Sequence, residues 1–179
     1  TELVNATSAG SVEISELRAS RRSEVARIKG TAAEKSYTIR FKYGPEPHTI
    51  AQSKNDDKSE KDEQSEEIED QPEVAPPEEI TPEFVKEMIV SLGGVTLEQR
   101  TPQRVSHRRA DKVRKRQVVS ISDISVEGDE AEITVRCESG TYVKELVHSD
   151  EGRTVPSIAE KLGFVCEVIW LDVNDVHAD

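Results

Sequence analysis

A corner between a strand and a helix is predicted near the carboxyl end of the chain, and it carries side chains that could act on a ligand. Gly140 and Thr141 lead into Tyr142, and Lys144 follows two residues later. Because glycine allows the chain to turn between elements, we expect Tyr142 and Lys144 to point into a cleft at the start of a helix. The alternative is an ordinary capped helix with Tyr142 half-buried and Lys144 solvated.

A second aromatic side chain, Tyr37, lies near the start of the most regular strand pattern in the chain. From residue 36 to residue 43, polar residues alternate with apolar ones, which is the period of a β-strand. An aromatic ring at a strand edge beside a cation, here Lys35, is suited to stacking under an unpaired nucleic-acid base. The alternative is that Tyr37 is a core residue of that strand, which is the more common role of such a residue.

The chain also contains a dense group of cations. Between Arg100 and Arg116, eight Lys and Arg residues accompany one acidic residue, Asp111, which gives a local charge of +7. Guanidinium groups at this density repel one another unless an anion neutralises them, and the RNA backbone is a common macromolecular anion. Contact with RNA phosphate is therefore the functional interpretation of the stretch from Arg100 to Arg116. The same charges could instead form a solvated surface balanced by an acidic segment.

Such an acidic segment lies earlier in the chain. Lys54 to Glu79 contain twelve Asp and Glu residues and three Lys, a local charge of -9 in a chain whose net charge is -12. The segment has too few apolar residues to offset the entropy of ordering, so residues 52–80 are predicted to form a disordered acidic insertion. It would interrupt one domain made of residues 1–51 and 81–179. A further possibility is that the insertion mimics RNA and covers the basic residues.

The remaining segments have the patterns of helices and strands. Thr81-Pro82 is typical of a helix start, and Gly93-Gly94 of a helix end. Residues 117–126 and 131–136 predict a hairpin. Short helices are predicted at residues 23–29, directly after Thr141, and at 156–162. Further strands are predicted at residues 12–17 and at 164–173, the second largely buried. The alternating strand should end at Gly44-Pro45, because proline offers no donor to a strand ladder.

The two cysteines, Cys137 and Cys166, are too few for a disulfide framework or a four-cysteine metal site. Buried free thiols are the prediction for both. No apolar run is long enough to span a bilayer, and no charged-then-apolar leader begins the chain, so a soluble protein of the cytoplasm is expected. The chain begins at Thr1 rather than at methionine, which indicates a fragment or a processed chain.

Together, these segments resemble the archaeal and eukaryotic family of tRNA pseudouridine synthases that modify T-loop uridines. The resemblance is collinear and covers most of the chain outside the acidic insertion. Its most specific parts are Gln99-Arg100-Thr101-Pro102 continuing through Arg114, and Gly140-Thr141-Tyr142-Val143-Lys144-Glu145 continuing through Pro156. Lys35-Ser36-Tyr37 is similar to a motif that pseudouridine synthases share more widely.

The resemblance implies an α+β fold with a mixed, mainly antiparallel sheet and flanking helices, part of the catalytic domain of such an enzyme. It implies isomerisation of uridine to pseudouridine in the tRNA T-loop, at position 54 or 55 or both, without metal or cofactor. An aspartate attacks the flipped uridine, and an aromatic platform recovers part of the lost stacking. By the family pattern, Tyr37 stacks on the base, Tyr142 contacts the nucleotide, and Lys144 pairs with the aspartate and keeps it ionised. The resemblance also implies which residues bind RNA: Lys35, Arg104, His107, Arg108, Arg109, Arg114 and Arg153.

Two departures from the family pattern affect this prediction. Related bacterial enzymes carry arginine where this chain has Lys144, and lysine cannot form the same bidentate pair. The nucleophilic aspartate belongs to a glycine- and arginine-rich motif upstream, and nothing between Thr1 and Lys35 resembles it. The chain alone is therefore expected to be inactive. A non-catalytic RNA-binding module and an acidic α+β interaction domain with no RNA role are the alternatives.

Overall fold

The computed structural model describes residues 5–6, 14–30, 32–48 and 80–177. The predicted acidic insertion, residues 52–80, lies outside the described residues except for Ile80. The chain divides into two compact units, Thr1–Ala32 and Ala33–Asp179.

The first unit contains helix α1 (Arg22–Gly30), which confirms the helix predicted at residues 23–29. Glu24 accepts hydrogen bonds from the Ser20 hydroxyl (2.7 Å) and the Arg21 N–H (3.2 Å), so the start of α1 is capped. The short strand predicted at residues 12–17 is wrong where the chain is described, from Ile14 onward. The backbone N–H and C=O of Ile14 bond to the side chain of Asn5, each at 2.8 Å, rather than to a neighbouring strand.

The second unit is a six-stranded sheet with helices packed on it. Its elements, in chain order, are β1 (Glu34–Pro47), α2 (Pro82–Val90), β2 (Thr96–Arg100), α3 (Gln103–Ser106), β3 (Val113–Glu127), β4 (Glu130–Cys137), α4 (Val143–His148), β5 (Thr154–Val155), α5 (Ile158–Leu162) and β6 (Phe164–His177). The strand order is β5-β2-β3-β4-β1-β6, and every neighbouring pair is antiparallel. The predicted α+β class with a mainly antiparallel sheet is therefore confirmed.

The core forms where the apolar face of β1 meets the helices. Ile39 and Phe41 on β1 are fully buried, as the alternating pattern predicts. Helix α2 packs on β3 and on α5 and buries Val85 and Ile89. Thr81 caps this helix by accepting a hydrogen bond from the Phe84 N–H at 3.2 Å.

The boundaries of β1 differ from the prediction. The strand continues through Gly44-Pro45 and ends at Pro47. Beyond Tyr43 it pairs with β6 alone, and the register between Tyr43 and Pro47 is irregular. Proline is tolerated there because one side of the strand has no ladder partner that requires its missing N–H.

The last strand, β6, also differs from the prediction. It runs four residues beyond the predicted end, to His177, and is not largely buried. Among the described strands it pairs with β1 only, so it forms an edge of the sheet. Exposed apolar residues on it are Val165, Ile169, Trp170, Val173 and Val176. An apolar run does not distinguish an edge strand from a central one, which explains the error.

Both cysteines are free and buried, as predicted. Burial raises the pKa of the Cys137 thiol to about 11 and that of the Cys166 thiol to about 12. Within the described ranges, no helix is long and apolar enough to cross a bilayer.

Candidate functional site

The basic residues lie on a loop whose conformation is stabilised by an ion pair and hydrogen bonds within the chain. This basic loop, residues 101–112, connects β2 to β3 and includes α3. Arg100 and Asp111 close its base through an ion pair of 2.6 Å, and hydrogen bonds from Arg100 lower the pKa of the Asp111 carboxyl. The buried Thr101 hydroxyl donates to the Ala110 carbonyl at 2.8 Å and accepts from the Lys112 N–H at 3.1 Å. The loop is therefore fixed by contacts within the chain.

The cations predicted to contact RNA divide into two groups. Three of them bond inward: Arg104 to Glu145, Arg114 to the Thr101 hydroxyl at 3.1 Å, and Arg153 to the Thr101 carbonyl at 3.5 Å. The others on the basic loop, His107, Arg108 and Arg109, are exposed and form no bond to a carboxylate or to Thr101 in the described structure, whereas Arg104 is about half exposed but paired. Sequence alone does not separate the groups, because the residue types are the same.

The predicted corner lies at the junction of β4 and α4. Gly140 has a φ of +82°, a value that L side chains rarely adopt, so glycine is required for the turn. Thr141 is bonded back to the Glu138 carbonyl through its hydroxyl at 2.8 Å. Tyr142 is the residue that precedes the first turn of α4, and Lys144 is exposed on that turn. Among the described residues, the Lys144 ammonium forms no ion pair.

The backbone of Tyr142 is held by the side chain of Gln99 on β2. The Gln99 amide donates to the Tyr142 carbonyl at 3.0 Å and accepts from the Tyr142 N–H at 2.9 Å. Gln99 is fully buried and also lies 3.4 Å from the Thr154 hydroxyl. Sequence analysis placed Gln99 in the most specific part of the resemblance but assigned it no role, because its contact with Tyr142 joins residues distant in sequence.

Glu145, one residue after Lys144, is a buried carboxylate with 1% of its side chain exposed. It accepts hydrogen bonds from Arg104 Nε at 2.6 Å and Nη2 at 3.2 Å, and these bonds raise the pKa of Arg104. The Arg104 guanidinium also lies 6.0 Å from the centre of the Tyr142 ring, within reach of a cation–π contact. Glu145 is buried on α4 together with Val143, Leu146 and Val147, and its place next to the charged Lys144 gave no sequence signal of this burial.

The chain leaves α4 through a left-handed turn, Ser149–Gly152. The φ angles are 71° at Ser149, 54° at Asp150, 59° at Glu151 and 82° at Gly152. Left-handed backbone costs about 1–2 kcal/mol for each residue other than glycine. The Gly152 N–H donates to the Ser149 hydroxyl at 3.0 Å, and the Thr154 N–H donates to the Ser149 carbonyl at 2.9 Å. These internal bonds stabilise a turn that would otherwise be unfavourable.

The left-handed turn contacts the basic loop directly. The Asp150 carboxylate accepts a hydrogen bond from the Gln103 N–H at 2.9 Å, and the Glu151 carboxylate accepts one from the Gln103 side chain at 2.9 Å. Gln103 is the first residue of α3, and the backbone N–H groups at the start of a helix have no partner within it. The Asp150 carboxylate supplies such a partner. The turn thereby helps to fix the basic loop.

Tyr37 and Lys35 lie on β1, on the same face as the core. Tyr37 is opposite Val135 on β4 and Val173 on β6, and Lys35 is opposite Cys137. Partial burial raises the pKa of the Tyr37 phenol, and a smaller charge interaction with Cys137 raises it further. The side chain of Thr141, which precedes Tyr142, partly offsets the rise in the pKa of the Cys137 thiol. Cys137 is therefore near both Tyr37 and Thr141, which lies at the start of the corner.

The structure brings some of the predicted site residues into contact with one another, but not all of them. Arg104 and Arg109 both approach Tyr142, the second with its guanidinium 3.5 Å from the Tyr142 hydroxyl. Tyr37, Tyr142 and Lys144 share no hydrogen bond with one another in the described structure. The roles assigned to these three residues from the resemblance therefore remain predictions.

The chain matches the model of a protein family described as "Pus10, C-terminal" over residues 46–177. A "tRNA pseudouridine synthase Pus10" of Methanothrix thermoacetophila is 60% identical over 80 residues, which are 45% of this chain and 18% of that protein. A protein of the same name from Thermofilum pendens is 32% identical over 178 residues, 98% of this chain and 33% of that protein. The chain thus spans a third or less of the length of these relatives.

One solved structure with a similar fold is the "Crystal Structure of a Cbf5-Nop10-Gar1 Complex". It aligns with a TM-score of 0.50 and 18% sequence identity, over 81% of this chain and 31% of the matched chain. A likeness at this identity shows the shared fold of the sheet and its helices.

Proposed function

Because the chain belongs to the Pus10 C-terminal family, we propose that it is the carboxy-terminal part of the catalytic domain of a tRNA pseudouridine synthase. The observation that carries this proposal is the corner at Gly140–Lys144, which matches the family motif and is bonded to a loop with exposed cations. The substrate would be a T-loop uridine of tRNA, at position 54 or 55. The names of the relatives support tRNA as the partner.

The proposed reaction breaks the bond between N1 of uracil and C1′ of the ribose and forms a bond between C5 and C1′. The C5 proton leaves and N1 gains a proton, so no external reactant is needed. An aspartate from a segment upstream of this chain would be the nucleophile. Lys144 would pair with that carboxylate and hold it ionised, because an adjacent cation lowers the pKa of a carboxyl group. Its exposure on α4 leaves the ammonium accessible to such a partner.

The RNA backbone would bind to exposed side chains of the basic loop rather than to all the residues predicted. His107, Arg108 and Arg109 are exposed and close to the corner through Arg109 and Tyr142. Arg104, Arg114 and Arg153 already bond to acceptors of the chain. We therefore assign the phosphate contacts to residues 107–109 and a structural role to the other three.

The test of catalysis uses the full-length protein and measures tritium release from tRNA labelled at C5 of uridine. Lys144→Met should lower the turnover by about 100-fold or more, because the interaction with the nucleophile is lost. The affinity for tRNA should stay within about threefold, since one side chain is a small part of a phosphate interface. Lys86→Met, which removes an exposed lysine on α2, is the matched control and should leave both quantities unchanged.

Two results would contradict the proposal. Tritium release by Lys144→Met at the parental rate would remove Lys144 from the mechanism. Binding of tRNA by the full-length parent without any tritium release would instead support a non-catalytic RNA-binding module.

The RNA surface has its own test. Replacing both Arg108 and Arg109 with alanine should weaken tRNA binding and reduce the slope of log affinity against log salt by about 1 for each lost contact. An unchanged affinity and slope would favour an interaction domain with no RNA role. The proposal includes a cytoplasmic location, which the two free thiols support because thiols stay reduced in that compartment.

A further inference from the structure

We infer that Gln99 and Glu145 are positioning residues, which hold the Tyr142–Lys144 corner and the basic loop together as one unit. Neither side chain belongs to the exposed cationic surface, and neither would touch the reacting uracil. The inference rests on the proposed function, because it concerns how tRNA bound at the basic loop is aligned with the catalytic corner.

Gln99 fixes the amino end of α4. Its carboxamide makes two hydrogen bonds to the backbone of Tyr142, 2.9 and 3.0 Å long, in the same manner as a residue paired within a β-ladder. The side chain is fully buried, so water does not compete for these bonds. Because both backbone groups of Tyr142 are held, the directions in which Tyr142 and Lys144 leave the corner are restricted.

Glu145 connects the same helix to the basic loop. Its carboxylate is buried and accepts two hydrogen bonds from Arg104, which lies on α3 within the loop. A buried carboxylate requires a partner of opposite charge, so arrangements that separate Arg104 from Glu145 are strongly disfavoured. Arg104 is three residues from the exposed His107 and also packs near the Tyr142 ring.

The left-handed turn adds a third connection at the carboxyl end of α4. Asp150 accepts from the Gln103 N–H at 2.9 Å, one residue before Arg104. Three residues other than glycine adopt positive φ to place this carboxylate, and strained backbone of this kind is often found at functional sites. Helix α4 is thus bonded to the basic loop by Glu145 and Asp150 and to β2 by Gln99.

The consequence is a distinction between binding and alignment. The exposed cations of the basic loop would bind tRNA whether or not the corner is held. The chemical step requires Lys144 and Tyr142 at a fixed place relative to the bound strand, and small displacements reduce such rates strongly. Loss of Gln99 should therefore reduce the rate of the chemical step and leave the binding of tRNA nearly unchanged.

The experiment compares Gln99→Leu with the matched control Gln117→Leu in the full-length protein. Gln117 is exposed on β3 and its side chain makes no hydrogen bond in the described structure. Gln99→Leu should lower the single-turnover rate of tritium release by about 10- to 100-fold. The dissociation constant for tRNA and its salt slope should stay within about twofold of the parent. Gln117→Leu should match the parent in all three.

Hydrogen exchange at the Tyr142 amide gives a readout that does not depend on activity. In the parent this amide should be protected, because it donates to Gln99. Gln99→Leu should remove the protection at Tyr142 and leave the amides of β1 protected. Faster exchange throughout the sheet would show a general loss of stability and overturn the positioning role.

A second variant keeps the inference testable if Gln99→Leu does not fold. Glu145→Gln preserves the volume of the side chain and removes its charge, and should lower the single-turnover rate without weakening tRNA binding. Equal losses of rate and affinity in an active parent would overturn the inference and leave the proposed function intact. A parent that binds tRNA and releases no tritium would overturn both.

Discussion

Two regions of the second unit are stabilised in different ways. In β1, β4 and β6, the buried side chains of the described structure are apolar, with Tyr43 the one that carries a hydroxyl. Where β2, the basic loop and α4 meet, buried polar residues are concentrated. They are Gln99, Thr101, Thr141, Glu145, Ser149 and Thr154, with Ser157 just beyond. Apolar burial has no preferred direction, whereas hydrogen bonds fix distances and angles. The first region therefore supplies stability, and the second supplies the fixed geometry that the proposed function requires of the corner.

The largest expected effect is in the apolar region. Phe41→Ala should lower the free energy of unfolding by about 3–5 kcal/mol, because the fully buried ring leaves a cavity. Urea unfolding measures this loss. A loss below about 1 kcal/mol would show that β1 does not contribute to stability as the comparison requires.

The next largest loss of stability is expected when one partner of the Arg104–Glu145 ion pair is replaced. Arg104→Met should cost about 1–3 kcal/mol, because it leaves the Glu145 carboxylate buried and unpaired. Glu145→Gln should cost less, since Arg104 is half-exposed and water can solvate it. The same unfolding measurement ranks the two variants, and the reverse order would contradict the account of the polar region.

A smaller effect is expected at helix caps. Ser157 is buried and forms a capping box with Glu160, with bonds of 3.1 and 3.2 Å. Ser157→Ala should cost about 1–2 kcal/mol, near the upper end for such caps. Thr81→Ala is the control, because Thr81 caps α2 from an exposed position and should cost less. Equal losses in thermal or urea unfolding would mean that burial adds nothing to the cap.

The smallest effect is expected on the polar side of the sheet. Arg40 and Arg136 form ion pairs with Glu130 and Glu34 at 2.8 and 2.7 Å, and all four side chains are about a third exposed or more. Replacing either arginine with alanine should cost less than about 1 kcal/mol. The loss should shrink further when unfolding is measured at high salt. A loss of unfolding free energy larger than that of Arg104→Met would mean that these exposed ion pairs stabilise the fold more than the pair at the buried Glu145 does.

Local patterns predicted much of the apolar region, although not the exposure of β6. The alternation around Ile39 and the capped stripe of α2 depend on neighbours in sequence, and both are found. The polar region depends on pairs that are distant in sequence. Gln99 is 43 residues from Tyr142, and Arg104 is 41 residues from Glu145. No local period brings such residues together, so the family resemblance located the corner and the structure showed what holds it.

The division among the basic residues could not be predicted for a related reason. Arg104 and Arg108 have the same chemistry and lie four residues apart in one charged segment. Only the position of Glu145 in three dimensions distinguishes a cation that is already neutralised from one that is free to bind a phosphate.

The edge strand β6 has a consequence for the solution behaviour of the protein. An open edge with exposed apolar side chains, such as Ile169 and Val173, can template the addition of further strands and lead to aggregation. Acidic residues at Glu167, Asp172 and Asp175 interrupt the apolar residues along this strand, and such charges are known to act as gatekeepers against self-assembly. Like charges on two such strands oppose their pairing edge to edge. Removal of these charges should therefore allow strand addition, and aggregation would begin at this edge.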